Sequence, residues 1–192
     1  MPFSRISILG LGLLGGSVAL AAHAAFTGCM VVGYGHRRPT LDAALDAGVI
    51  DEAYEDPTAA VQDADLVILC TPVGLFDGLL QRIAPAIPPN ALVTDVGSTK
   101  RSIVAAAGKY LPNPARFVGS HPIAGSEKRG VEFARADLFQ NARCILTPTQ
   151  SADPAAVDRI DQFWRTLGMR TQRMSADEHD AVLSDISHLP HA

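Results

Sequence analysis

The chain has 192 residues, 47% of them hydrophobic and 19% charged, with a formal net charge of −4. That is enough apolar material for one core of ordinary domain size and excludes a disordered chain. The acidic balance, with no Lys/Arg cluster on any periodic segment, excludes nucleic acid or an anionic membrane as the expected partner and leaves a small molecule.

The first expected element is an apolar strand at Arg5–Leu9, followed by a glycine-rich turn and a helix over Gly15–Thr27. The span from Arg5 to Phe26 also has the outline of a secretory leader: one basic residue, an apolar run and an Ala-His-Ala end. Glycines at 10, 12, 15 and 16 interrupt it, and "CMVVGYG" follows at once as a second strand, Cys29–Tyr34. A strand, turn and helix that open a repeating fold explain this better than a removable leader, and the glycines and His23 disfavour a membrane span.

Further strands are expected at Ala64–Cys70, Ala91–Val96, Arg116–Gly119 and Arg143–Pro148. Helices are expected over Pro39–Ala47, Leu75–Ile83, Lys100–Tyr110 and Pro154–Leu167. Near-continuous Val/Ile/Leu strands imply burial on both faces, and their alternation with helices requires right-handed crossovers. The expected fold class is therefore α/β: a doubly wound, mostly parallel, Rossmann-like sheet. The last stretch, "SADEHDAVLSDISHLPHA", opens a helix with Ser175 as N-cap and Glu178 as capping-box partner, and its apolar pattern is still running at Ala192. This divides the chain into a dinucleotide domain over 1–174 and the start of a linker helix over 175–192.

Gly10, Gly12 and Gly15 form G-x-G-x-x-G between a strand and a helix, the context in which that pattern means dinucleotide binding. The first glycine permits the tight turn, the second the approach of a pyrophosphate, the third close packing of helix on strand. The loop they form with Leu11, Leu13 and Leu14 would present the helix N-terminus to the phosphates. An Asp or Glu normally ends the second strand and binds the adenosine ribose of NAD. Here Gly35 stands there, and "GYGHRRPT" continues with His36, Arg37 and Arg38. A guanidinium at that place can hold a 2′-phosphate, so NADP is expected ahead of NAD, with a solvated helix-start patch as the alternative. His36 would lie near the adenine. Thr71 and Pro72 follow the Ala64–Cys70 strand and belong to the same crevice by the rule that ligands bind off the carboxyl ends of the strands.

Two more strand ends are polar. "TDVGSTK" and "GSHPIAGSEKRG" place Ser98, Lys100, His121, Ser126, Glu127 and Lys128 on the nucleotide's rim. An imidazole at such a place can take the proton of a hydroxyl being oxidised, which makes His121 the catalytic candidate, with Ser98 beside it. His179, His188 and His191 fall on the terminal segment. His188 and His191 have helical spacing, but no third ligand accompanies them, so no metal is expected and anion recognition is an equal reading. Cys29, Cys70 and Cys144 show no CxxC spacing, as expected of buried thiols in a reducing cytoplasm.

Taken in order, "ILGLGLLGGS", "DVGSTK", "GSHPIAGSEKRG", "CILTP" and "HD…LSDISHLPHA" resemble the prephenate/arogenate dehydrogenase family of tyrosine biosynthesis over essentially the whole chain. The resemblance implies oxidative decarboxylation of a cyclohexadienol, prephenate or arogenate: hydride passes to NAD(P) as the ring carboxylate leaves as carbon dioxide. It places the family's catalytic histidine on His121 and its hydroxyl-orienting serine on Ser98. It places substrate contacts on Ser187 and His191, with His188 close by, and Ser126 is a further candidate for that pocket. Gly35 departs from the NAD-using members. The resemblance also implies a following all-helical domain that makes a homodimer and supplies an arginine for the substrate carboxylate. Without it the chain is expected to bind cofactor and to be inactive alone. Another hydroxyacid or imine dehydrogenase of the same fold, or a non-catalytic nucleotide-binding module, are the competing readings.

Overall fold

A computed structural model describes residues 3–187 of the chain. Its first half runs β1 (Arg5–Leu9), α1 (Leu13–Ala25), β2 (Met30–Tyr34), α2 (Arg38–Asp46), β3 (Glu52–Tyr54), α3 (Pro57–Val61) and β4 (Leu66–Leu69). The second runs α4 (Phe76–Ile83), β5 (Leu92–Asp95), α5 (Arg101–Tyr110), β6 (Phe117–Ile123), β7 (Arg143–Thr147), α6 (Pro154–Thr166), β8 (Arg170–Arg173) and α7 (Ala176–Ser187).

The eight strands form one sheet in the order β3-β2-β1-β4-β5-β6-β7-β8. All neighbours are parallel except β6 and β7. Side chains alternate between two cores, one on each face. From β1, Ile6 and Ile8 join α1 and α6 through Val18, Ala22 and Trp164, whereas Leu9 joins α4 and α5 through Phe76, Leu80 and Ile103. A strand covered on both faces has no solvent side, which is why these strands read as unbroken apolar runs. Ser7, buried within β1, satisfies its hydroxyl by donating to the Ala60 carbonyl.

Three strands differ from expectation. The short strands β3 and β8 form the two edges of the sheet, where only one neighbour and partial exposure are required, so their sequences need not be apolar. β6 runs on to Ile123, well past Gly119. It pairs with β5 only at Phe117 and Val118, then continues along β7 from Gly119↔Thr147 to Ile123↔Arg143. Beyond Val118 no strand flanks it on the β5 side, so the missing N–H of Pro122 breaks no ladder there. His121 therefore lies within a strand.

The strand order reverses between β1 and β4, and the carboxyl ends of strands at such a switch point are the place where open α/β sheets bind ligands. The last helix, α7, is fixed at its start by the expected capping box. Glu178 N–H donates to Ser175 Oγ at 3.1 Å, and Ser175 N–H donates to Glu178 Oε2 at 2.8 Å.

Candidate active site

At the end of β1 the backbone turns through Gly10 with φ +114°, and a Cβ there would stand 2.8 Å from the Thr71 nitrogen after β4. A Cβ on Gly15 would fall 2.0 Å from the Gly10 carbonyl oxygen, so only glycine lets α1 pack on this turn. Gly12 is different. It precedes α1 without a side-chain cap, and a Cβ on it would meet nothing within 4 Å. The space in front of the helix N-terminus is open, and the Thr71 Oγ1 nearby is buried with no hydrogen-bond partner among the described residues. An orphaned hydroxyl after β4, next to the Gly10 turn, and open space at Gly12 before the α1 N-terminus fit a phosphate-bearing ligand. Leu11 turns its side chain into the core, so it can meet such a ligand only through its backbone. Leu13 and Leu14 are half-buried and Pro72 is exposed.

His36, Arg37 and Arg38 are exposed beyond β2. The Arg38 guanidinium is engaged by Asp42 one turn along α2, Nε to Oδ1 2.8 Å. Arg37 makes no ion pair among the described residues.

Past β5 the polar groups go inward. Asp95 is fully buried, and its carboxylate accepts from Gly97 N–H at 2.8 Å, from Ser120 N–H at 3.0 Å and from the Lys100 ammonium. Lys100 also donates to the Ser120 carbonyl at 2.7 Å. Burial pushes the Asp95 carboxyl up and the Lys100 ammonium down from their ordinary values, each partner's charge opposing the change. The expectation that Lys100 lies on an open rim is thus corrected: it is a buried strut between β5, α5 and β6. Ser120 Oγ is held in turn by Trp164 Nε1 at 3.0 Å and by Thr94 Oγ1 at 2.7 Å.

That strut lies beneath His121, which is half-buried on β6. His121 Nδ1 is 2.9 Å from Nε2 of His179 on α7, and His179 Nδ1 is 2.7 Å from Asp180 Oδ1. Burial first, then the neighbouring His179 and Lys100, lower the His121 imidazole to about 4, so it is neutral at physiological pH. His179, which the sequence placed only on the terminal segment, is fully buried in this contact. Among the described residues no group of three or more His, Cys, Asp or Glu side chains could hold a metal ion, and no helix is long and apolar enough to cross a membrane.

Ser98 is exposed on the loop between β5 and α5. Ser126, Glu127 and Lys128 are exposed beyond β6, with Ser126 Oγ accepting from Lys128 N–H at 3.2 Å. Ser187 is the last residue of α7 and its side chain lies outside the described residues, as do His188 and His191 entirely. Asp95 and Asp180 escaped the sequence reading. An acid ending an apolar strand with a lysine five residues on was the available sign of the first; the second had no local sign.

Residues 18–173 match the family described as "Prephenate dehydrogenase, nucleotide-binding domain". The chain is 42% identical over 187 residues to the prephenate dehydrogenase of Bacillus subtilis (strain 168), a match covering 97% of this chain and 50% of that protein. It is 38% identical over 189 residues to the cyclohexadienyl dehydrogenase of Zymomonas mobilis, covering 98% of this chain and 64% of that one. Among solved structures, the prephenate dehydrogenase of Aquifex aeolicus in complex with hydroxyphenyl propionate and NAD+ superposes with a TM-score of 0.91 at 33% identity, over 98% of this chain and 65% of that one. The arogenate dehydrogenase of Synechocystis superposes with a TM-score of 0.88 at 33% identity, over 96% of this chain and 64% of that one. The chain thus spans about half to two thirds of the length of these relatives.

Proposed function

Because the chain belongs to the prephenate dehydrogenase family through its nucleotide-binding domain, we propose that it is the cofactor-holding part of a cytoplasmic, homodimeric enzyme that oxidatively decarboxylates prephenate or arogenate, using NADP ahead of NAD. The observation that carries the proposal is a neutral, half-buried imidazole, His121, on the strand beside the polar strut, in a sheet whose switch point bears the glycine turn and an orphaned hydroxyl.

The backbone of Gly10, Leu11, Gly12, Leu13, Leu14 and Gly15 would hold the diphosphate, and Thr71 Oγ1 would gain its missing partner there, with Pro72 stiffening the loop. When bound, the nicotinamide supplies the acceptor for the hydride that leaves the carbinol carbon. His121 accepts the hydroxyl proton on Nε2 as that C–O bond gains carbonyl character. Ser98 orients the hydroxyl, and Ser126, Ser187, His188 and His191 hold the substrate's carboxylates. Loss of the ring carboxylate as carbon dioxide leaves an aromatic ring, 4-hydroxyphenylpyruvate from prephenate or tyrosine from arogenate.

The NADP preference rests on Gly35, which offers a ribose no carboxylate, and on Arg37, the guanidinium not engaged by Asp42. The NAD+ bound to the Aquifex aeolicus relative is that protein's cofactor. The test is to offer the full-length protein prephenate and arogenate with each dinucleotide and follow reduced-nicotinamide absorbance. Turnover of at least one cyclohexadienol, faster with NADP, is the expected result. Turnover of hydroxyacids or imines only, or tight nucleotide binding with no turnover of any substrate, overturns the proposal.

A further inference from the structure

The contact between His121 and His179 does not end there. His179 Nδ1 meets the Asp180 carboxylate, whose oxygens also accept from the first backbone N–H groups at the start of α5: Lys100 N–H at 2.8 Å and Arg101 N–H at 3.0 Å. Burial alone would raise the Asp180 carboxyl, but these hydrogen bonds from Arg101, His179 and Lys100 outweigh it and hold it below the usual carboxylate range. An ionised carboxylate can only accept, so His179 Nδ1 must carry a proton. In neutral His179 the lone pair is then on Nε2, and the proton in the 2.9 Å contact must belong to His121 Nδ1. That leaves the lone pair of His121 on Nε2, the nitrogen with no hydrogen-bond partner among the described residues.

We propose that His179 and Asp180 are positioning residues that lock His121 in the tautomer whose Nε2 is free to accept a proton. The inference rests on the reading of His121 as the base and names what makes it one. When Nε2 takes the substrate's hydroxyl proton, Nδ1–H continues to donate to His179 Nε2, with the Asp180 carboxylate behind it; no proton leaves His179 or Asp180. The other titratable groups around the imidazole are the pair formed by Lys100, just before α5, and Asp95 of β5, and the Cys144 thiol on β7, and the ammonium is already committed to Asp95 and Ser120. If His179 itself were protonated, its Nε2–H would point at His121 Nδ1 and put the His121 proton on Nε2, removing the acceptor. Dyad and base are thus coupled through one hydrogen bond. Asp180 also caps α5, so its replacement would disturb a helix; His179 carries no such second bond and is the residue to change.

The direct readout is long-range 1H–15N correlation of the histidine rings in the chain as it stands, near neutral pH. His121 is expected to show a protonated Nδ1 and an unprotonated Nε2, and so is His179. A His121 ring protonated on Nε2, or an even mixture of tautomers, overturns the inference whatever the enzyme's activity. In the full-length protein, His179→Leu is expected to lower kcat on the order of 10- to 100-fold with KM and cofactor affinity held within about twofold, and His179→Gln, whose amide can accept from His121 and donate to Asp180, to recover most of it. A folded His179→Leu protein with unchanged kcat also overturns it. Absence of prephenate or arogenate turnover in the unmodified protein would sink the proposed reaction alone, since the ring spectrum still reads the tautomer.

Discussion

The rings of His121 and His179 meet edge to face with centroids 5.1 Å apart, although the residues are 58 apart in sequence. The contact ties the strand that bears the proposed base to the helix that ends the described chain. It also separates the chemistry from cofactor binding, because neither ring belongs to the glycine turn. His121→Asn in the full-length protein is therefore expected to lower turnover by about 100-fold or more. Its NADP affinity should stay within about twofold of the unmodified protein, measured by titration on the same preparation.

The His121 imidazole titrates at about 4, below its ordinary value of 6.5. Between those values the unfolded chain binds the proton and the folded one does not, so stability falls as pH drops from about 6.5 towards about 4 and is fully present above that window. The unfolding midpoint of the chain should accordingly fall between about pH 7 and about pH 5, and by less in His121→Asn. The acid limb of kcat/KM should lie below the ordinary histidine value, since the base keeps its lone pair there. A limb at or above it would mean that this ring does not set the profile.

Arg37→Ala should weaken NADP by tenfold or more, about 1.4 kcal/mol or above, while leaving NAD within about twofold. Arg38→Ala should matter less, because Asp42 already engages that guanidinium. Calorimetric titration of both dinucleotides against the two variants reads the difference. Equal affinities unmoved by Arg37→Ala would remove the case for a 2′-phosphate.

Gly12 and Gly15 should respond differently to the same methyl group. At Gly15 a Cβ lies 2.0 Å from the Gly10 carbonyl oxygen, so Gly15→Ala must push α1 off β1 and lower both the unfolding midpoint and dinucleotide affinity. At Gly12 a Cβ meets nothing within 4 Å, so Gly12→Ala should keep the midpoint. It should still lose affinity, because the methyl enters the space through which a pyrophosphate approaches the backbone.

The parts of the fold legible in the sequence were those whose local chemistry is forced. The central strands had to be apolar throughout, and the glycine turn had to be glycine at Gly10 and Gly15 for reasons that backbone contacts make plain. β3 and β8 were missed because edge strands such as Arg170–Arg173, "RTQR", need no apolar run. Lys100 was misplaced because a lysine next to a polar loop reads as solvated until the sheet brings Asp95 to it. The His121–His179–Asp180 chain had no local signal at all. It exists because β6 extends along β7 while Asp180 docks α7 on the start of α5, and both events are tertiary.

In the proposed enzyme one crevice holds the dinucleotide's phosphates at Gly10–Gly15 and brings its reacting end to the His121 side of the sheet. A crystal structure of this chain grown with NADP+ measures this directly. The diphosphate is expected against the Gly10, Gly12 and Gly15 backbone with Thr71 Oγ1 bonded to the ligand, the 2′-phosphate at Arg37 and the nicotinamide facing His121. A dinucleotide bound elsewhere, or one seated on the glycine turn with its nicotinamide directed away from His121, would contradict it.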